Sequence, residues 1–489
     1  MTAPILVIDE GTSSTRAALY SKDLSRGNFS QQAVALSSPS PDIVEQDGDA
    51  IWRHSLDVAK RACGGGIVPA AIGLTNQRET TLVWERATGR PVHAALIWQD
   101  RRGAALCAAM KLDGREADLT ARTGLLADPY FSAFKLNWML DNIAGVRVAA
   151  DIGELAFGTV DTSLIWNLTG GAVHATDASN ASRTGLYNIH TGAWDDELLR
   201  LFNIPASLLP EVRDSVGSFG STTLLGGSIP IMGVVGDQQA ALMGQGCVAA
   251  GQTKITFGTG AFLMAQTGAV AVPSTNRMLT TVAWQIAGQR SYAMEGAILN
   301  AGTAVQWLRD QLGLMVSAAD SQMLAMSVPD SAGVYMVPAF TGLGAPHWAP
   351  AAQGLICGIG RGTAKAHLVR AALEASAFQT ADLLTALTKD GVKLELLRVD
   401  GGMTANDFFL QRLADITGLI VERPSDLEMT ARGAARAAAT GLGWLSHIGD
   451  SSEGAIDRRL TPAIDPDTRA HLQAGWNKAV QASIGLGGQ

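Results

Sequence analysis

Ile8-Asp9-Glu10-Gly11-Thr12-Ser13-Ser14-Thr15-Arg16, near the start of the chain, and Phe257-Gly258-Thr259-Gly260, just past its middle, are two versions of one kind of stretch. Each follows an apolar run (residues 5–8 and 255–257) and precedes another (17–20 and 261–265), the pattern of strand, tight turn, strand. Glycine at the tip lets the backbone approach a bound group, while hydroxyls and exposed N–H groups donate to anionic oxygens. Two such hairpins can close on a phosphate chain from both sides. Asp9, ending the first apolar run, is placed to hold a divalent cation on that phosphate. The pair points to a two-lobed enzyme that transfers phosphoryl groups.

Working outward, strand-like and helix-like patterns alternate, which indicates an α/β architecture. Residues 70–74 and 95–98 read as short buried strands, and 100–111 and 134–142 as helices. Residues 154–167 read as a strand and then a helix, with Asp161 or Thr162 as its N-cap. An apolar strand at 231–235 runs into Gly236-Asp237, with a helix over 238–245, and a strand at 396–400 ends in Gly401-Gly402. The Ala-rich segment 429–440 reads as a helix whose arginines, Arg432 and Arg436, face solvent. No Pro/Ser-rich linker separates the halves. The hairpin-first layout of both suggests a duplication and two domains, 1–246 and 247–489.

The bulk properties exclude several classes. At 489 residues the chain exceeds a single core. Apolar residues make up 47% and the net charge is -8, with no basic block, which argues against nucleic-acid binding. The four cysteines, Cys63, Cys107, Cys247 and Cys357, are widely spaced, so buried free thiols in a reducing compartment are expected rather than zinc or disulfides. Neither a signal-peptide pattern nor an apolar run of membrane-spanning length is present, and a cytoplasmic location is expected. No GxxxxGK[ST] loop and no GxGxxG between a strand and a helix occur, so neither a P-loop nor a dinucleotide fold is supported.

Longer segments carry a resemblance. The run from Tyr130-Phe131-Ser132 through Lys135-Leu136-Asn137-Trp138 to Asp141-Asn142, and Gly354-Leu355-Ile356-Cys357-Gly358-Ile359 through His367-Leu368 to Glu374, resemble the two signatures of the FGGY carbohydrate kinases, within the actin and hexokinase fold superfamily. Thr75-Asn76-Gln77-Arg78-Glu79-Thr80-Thr81, Phe157-Gly158-Thr159-Val160-Asp161-Thr162, Gly236-Asp237-Gln238-Gln239 and Pro338-Ala339-Phe340-Thr341-Gly342-Leu343-Gly344 are most similar to its glycerol-phosphorylating branch. The resemblance implies two ribonuclease H-like domains flanking a deep cleft, ATP and Mg2+ as cofactors, glycerol as substrate, sn-glycerol 3-phosphate as product, and a homo-oligomer. A kinase of another small polyol or sugar, such as erythritol or xylulose, is the alternative. A non-catalytic polyol sensor is a further one.

The resemblance also implies roles. A primary hydroxyl needs a base as it attacks and in-line placement on the γ-phosphate. Asp237 matches the family's base; as a purely structural residue it would only cap the following helix. Asp9 positions Mg2+ through water. Arg78, Glu79 and Gln238 match the residues that bond polyol hydroxyls. Trp98, Tyr130 and Phe262 match the aromatic wall. Thr12, Ser13, Ser14 and Arg16 match the first phosphate turn, and Thr259 the second. Gly302 and Gln306 match the segment beside the nucleotide, and Gly402 and Asn406 the turn at the adenosine. Glu10 departs from the glutamine common in this branch, and is expected to put a carboxylate beside the phosphates, where Mg2+ or Arg16 must compensate it. Residues 221–231 form a shorter, arginine-free loop than the one that binds fructose 1,6-bisphosphate in some bacterial relatives, so regulation by that sugar is expected to be weak or absent.

Overall fold

The computed structural model describes residues 3–450 and 456–487. The strand Ile5–Glu10 is wholly buried, and its alternation sets the layers of the first half. Leu6 and Ile8 pack with Ile51 and Val58 of the helix Gly48–Ala62. Ile5 and Val7 pack on the opposite face with Ala434, Ala435 and Ala438 of the helix Met429–Gly441. The same period sends Asp9 and Glu10 to opposite faces.

A tight turn returns the chain antiparallel along Ser14–Tyr20, with Glu10 opposite Thr15 and Gly11 N–H donating to the Ser14 carbonyl (3.1 Å). Arg26–Ala33 extends this meander. On the other side Ala71–Asn76 and then Ile229–Gly236 add in parallel. The second half repeats the plan. Thr253–Phe257 pairs antiparallel with Ala261–Gly268, which pairs with Gln289–Ile298. Leu396–Asp400 and Ile420–Pro424 add in parallel on the other flank. Both sheets therefore share one strand order, third-second-first-fourth-fifth, with extra edge strands. The duplication suggested by the two hairpins is visible as a repeated topology.

Two helices join the halves. Asp237–Gly244 leaves the first sheet, and Met429–Gly441 arrives from the second half of the sequence to cover the first sheet. They cross backbone to backbone: a Cβ on Gly433 would lie 1.8 Å from the Ala240 carbonyl oxygen, and one on Gly244 1.9 Å from that of Met429. Packing on both faces overturns one expectation. Arg436 does not face solvent; it is buried, and donates to the Met243 carbonyl at the end of the partner helix (2.9 Å).

Other boundaries shift for local reasons. The helix expected over 100–111 begins at Ala104, because Asp100 is buried and accepts from the backbone of Val44 and Arg102. The helix after Leu155–Gly158 is capped at Thr159, so Asp161 lies inside its first turn, where the hydroxyls of Thr159 and Thr176 donate to it. All four cysteines are free; Cys63, Cys107 and Cys247 are buried and Cys357 is half-buried.

Candidate active site

The parallel strands Ile5–Glu10, Ala71–Asn76 and Ile229–Gly236 end level with one another, with Glu10 and Gly236 both opposite Asn76. Their carboxyl ends open a cavity of about 50 Å³. Arg78, Glu79, Trp98, Tyr130, Asp237, Gln238 and Phe262 all line it, with Thr12 and Gln77. Adjacent residues Arg78 and Glu79 reach the same cavity through a three-residue turn. Thr80 N–H donates to the Arg78 carbonyl (2.7 Å), and Glu79 takes φ +61. Such a conformation costs a non-glycine residue about 1–3 kcal/mol and persists only where the surroundings enforce it.

Buried charge does the enforcing. Arg78 meets Glu295 through two parallel bonds (Nη1 to Oε2 2.6 Å, Nη2 to Oε1 2.8 Å). Arg183 joins Glu295 (Nη2 to Oε1, 3.3 Å) to Glu79 (Nε to Oε1, 2.6 Å). All four side chains are essentially inaccessible. Arg78 Nε also lies 3.1 Å from Asp237 Oδ1, as an ion pair whose N–H is not aimed for a hydrogen bond. Burial raises the Asp237 carboxyl above its usual value, and Arg78 and Lys254 pull it back. The charge partners thus favour the ionised form that a base requires. Lys254 is buried beside them and donates to Gln238 Oε1 (2.5 Å), Thr256 Oγ1 (3.0 Å) and the Phe262 carbonyl (3.3 Å). Burial pushes its ammonium down to about 8.

An aromatic corner bounds the other side. Trp98 stands edge-on to Tyr130 and Phe262, with centroids 5.6 and 5.9 Å apart. Its Nε1 donates to Thr12 Oγ1 (2.9 Å), so a residue expected in the first phosphate turn also fixes this aromatic corner. Ser13 is exposed at the turn, and Ser14 is buried in the returning strand. Arg16 Nη1 lies 3.3 Å from Glu428 and 3.9 Å from Asp9.

The second turn rests on the start of the helix Gly302–Asp310. The N–H groups of Ala301, Gly302 and Thr303 donate to the carbonyls of Thr259, Gly258 and Thr259. A Cβ on Gly302 would stand 2.5 Å from the Gly258 carbonyl oxygen, so the close approach requires glycine. Thr259, Gln306 and Gly402 are exposed. Asn406 is engaged internally: its side chain caps the helix Asp407–Thr417 at Phe409 N–H (2.9 Å) and donates to Ser321 (3.2 Å).

Asp9 suits a cation. Burial pushes its carboxyl up to about 7; Arg16 lowers it, and neighbouring Asp237 and Glu428 raise it further. Neighbouring carboxylates penalise the ionised form of Asp9, so a cation there would favour it; among the described residues no group of three or more His, Cys, Asp or Glu forms a metal site by itself. Glu10 does not stand beside the phosphates as expected. Strand alternation turns it inward toward the helix Gly48–Ala62, where the hydroxyls of Thr15 and Ser55 both donate to its Oε2.

Glu295, Arg183 and Lys254 escaped the sequence reading. Each is a lone charge amid apolar or small residues, as in Tyr292-Ala293-Met294-Glu295-Gly296. For Glu295 and Lys254 that isolation was itself a signal, because a charge inside a buried strand must be paired; Arg183 lies in a turn, where it was not.

Comparison with known proteins gives a consistent picture. The model described as "FGGY family of carbohydrate kinases, N-terminal domain" matches residues 4–244, and its C-terminal counterpart matches residues 253–442. The chain is 53% identical to a glycerol kinase of Rhodospirillum centenum over 484 residues, covering 98% of this chain and 97% of that protein. It is 49% identical to a glycerol kinase of Deinococcus radiodurans, covering 97% and 96%. Among solved structures, Plasmodium falciparum glycerol kinase with ADP superposes with a TM-score of 0.92 at 33% identity, covering 98% of each chain. A xylulose kinase of Lactobacillus acidophilus shares the fold, with a TM-score of 0.89 at 21% identity and 99% of each chain covered.

Proposed function

The chain belongs to the FGGY family of carbohydrate kinases, and from that premise we propose that it transfers the γ-phosphoryl group of ATP to glycerol, giving sn-glycerol 3-phosphate. The observation that supports the assignment to residues is a small cavity in which a carboxylate, an Arg–Glu pair and an aromatic corner converge. Near-full-length identity of about half to proteins named glycerol kinase supports glycerol over larger sugars.

In this reading residues 1–246 supply the base and most of the polyol contacts, and 247–489 the nucleotide contacts. Asp237 accepts the proton of the attacking hydroxyl, with Arg78 beside it opposing the effect of burial and favouring the ionised form. Arg78, Glu79 and Gln238 donate to and accept from the hydroxyls, while Trp98, Tyr130 and Phe262 cover the carbon edge. Thr12, Ser13, Ser14 and Arg16 face the phosphates from one hairpin and Thr259 from the other. Gly302, Gln306, Gly402 and Asn406 lie along the nucleotide. Asp9 would hold Mg2+, which when bound would supply positive charge that stabilises the transferring phosphates. A cytoplasmic homo-oligomer without nucleic-acid partners belongs to the same reading. Among the described residues no helix is long and apolar enough to cross a membrane.

Asp237→Asn tests it, assayed with ATP against glycerol, dihydroxyacetone, erythritol and xylulose. Wild type should prefer glycerol. The variant should lose about 10²–10⁴-fold in kcat, the usual contribution of a positioned base, while still binding glycerol. Turnover by the variant within a few-fold of wild type would overturn the role of Asp237, and a preference for a larger sugar would overturn the substrate.

A further inference from the structure

We propose that Glu295 is a positioning residue that sets polyol selectivity: the second sheet sends this carboxylate across to the first half, where it orients the Arg78–Glu79 pair that reads the substrate's hydroxyls. The proposal rests on the assignment of Arg78 and Glu79 to the polyol pocket.

Glu295 lies on the strand Gln289–Ile298, between neighbours Ala261–Gly268 and Leu279–Ile286, and is fully buried. It does not line the cavity, so it acts through other residues. One oxygen, Oε1, serves both Arg78 and Arg183; the other, Oε2, serves Arg78 alone. Arg183 in turn grips Glu79. Because Arg78 and Glu79 are consecutive, the four side chains close a loop of alternating charge with no net charge. Burial works against ionising Glu295, but Arg183 and Arg78 overcome it and hold its carboxyl at about 2.

A doubly bonded carboxylate fixes the plane of a guanidinium as well as its position. Beyond this loop Arg78 has Gln239 and Asp237 as further side-chain partners among the described residues. Without Glu295, two buried guanidiniums would share Glu79, and Arg78 would turn toward Asp237. The strained turn at Glu79 would also lose the partner that holds Arg183 in place. Selectivity for a hydroxyl comes from polar groups left unpaired when that hydroxyl is missing, so it requires those groups to be held still. The nucleotide contacts form no part of this loop.

The test is kinetic. Glu295→Gln should lower kcat/KM for glycerol by about tenfold or more. It should reduce the preference for glycerol over propane-1,2-diol by a similar factor, with KM for ATP within about twofold of wild type. Glu295→Asp, which keeps the charge, should recover most of the preference. An unchanged glycerol preference in Glu295→Gln would overturn the proposal, as would a Glu295→Asp variant as unselective as Glu295→Gln. Should Glu295→Gln not fold, Glu295→Asp decides: a raised KM for glycerol alone supports the proposal, and equal rises for glycerol and ATP overturn it. Asp237→Asn, run alongside, separates the two readings. If it retains turnover, the site assignment itself fails; if it is inactive while Glu295→Gln keeps its selectivity, only this inference fails.

Discussion

Replacing Glu10 with Gln measures what a carboxylate costs on the inner face of the first sheet. Glu10 is fully buried against the helix Gly48–Ala62, with the Thr15 and Ser55 hydroxyls on Oε2 and no hydrogen-bond partner for Oε1 among the described residues. Burial pushes its carboxyl from 4.5 up to about 8; the two hydroxyls oppose this and nearby Asp9 adds to it. In the unfolded chain the group titrates near its ordinary value. Between those two pH values the folded protein keeps a proton that the unfolded chain has lost. Stability therefore falls as pH rises through this window, by at most ~1.4 kcal/mol per pH unit, and levels off above about 8. The linkage ceiling is ~5 kcal/mol; relaxation around the ionised group reduces it, and we expect about 2 kcal/mol between pH 5 and pH 8. Glutamine keeps an oxygen for the two hydroxyls and cannot titrate. Urea unfolding of both proteins at pH 5, 6.5 and 8 should show the variant's advantage growing with pH. A difference that stays constant across the three pH values would refute the reasoning.

Two further outcomes follow from the geometry. Gly302→Ala forces a Cβ against the Gly258 carbonyl and displaces the second turn. KM for ATP should rise about tenfold or more, with glycerol binding measured by calorimetry nearly unchanged. Trp98→Phe removes the N–H that holds Thr12 while keeping an aromatic ring. Loss of one such bond, worth about 1 kcal/mol, predicts a rise of roughly fivefold in KM for glycerol in steady-state assays.

The two hairpins and the parallel strands beside them were legible because their signals are local: apolar runs, glycine tips, and a carboxylate at a strand's end. Strand Leu396–Asp400 was read to the residue for that reason. The assigned site residues drew on longer motifs, since a lone Arg-Glu pair such as Arg78-Glu79 reads by itself as a surface pair. What escaped depended on partners distant in sequence. Glu295 meets Arg78 across 217 positions. Arg436 is buried because a helix from the first half covers the face that amphipathic logic assigned to water. Glu10 was expected beside the phosphates as part of the first turn, although period-two alternation along Ile5–Glu10 turns it to the other face from Asp9.

The glycine crossing of Asp237–Gly244 with Met429–Gly441 has a mechanical consequence. Helices that meet this closely leave no room for a side chain at the contact, and the buried Arg436 ties them further through the Met243 carbonyl. Asp237 is the first residue of one of the two helices, so the crossing fixes where that residue starts. A side chain forced into the crossing at Gly244 or Gly433 would therefore push on the helix that carries Asp237 before it reached the surrounding loops.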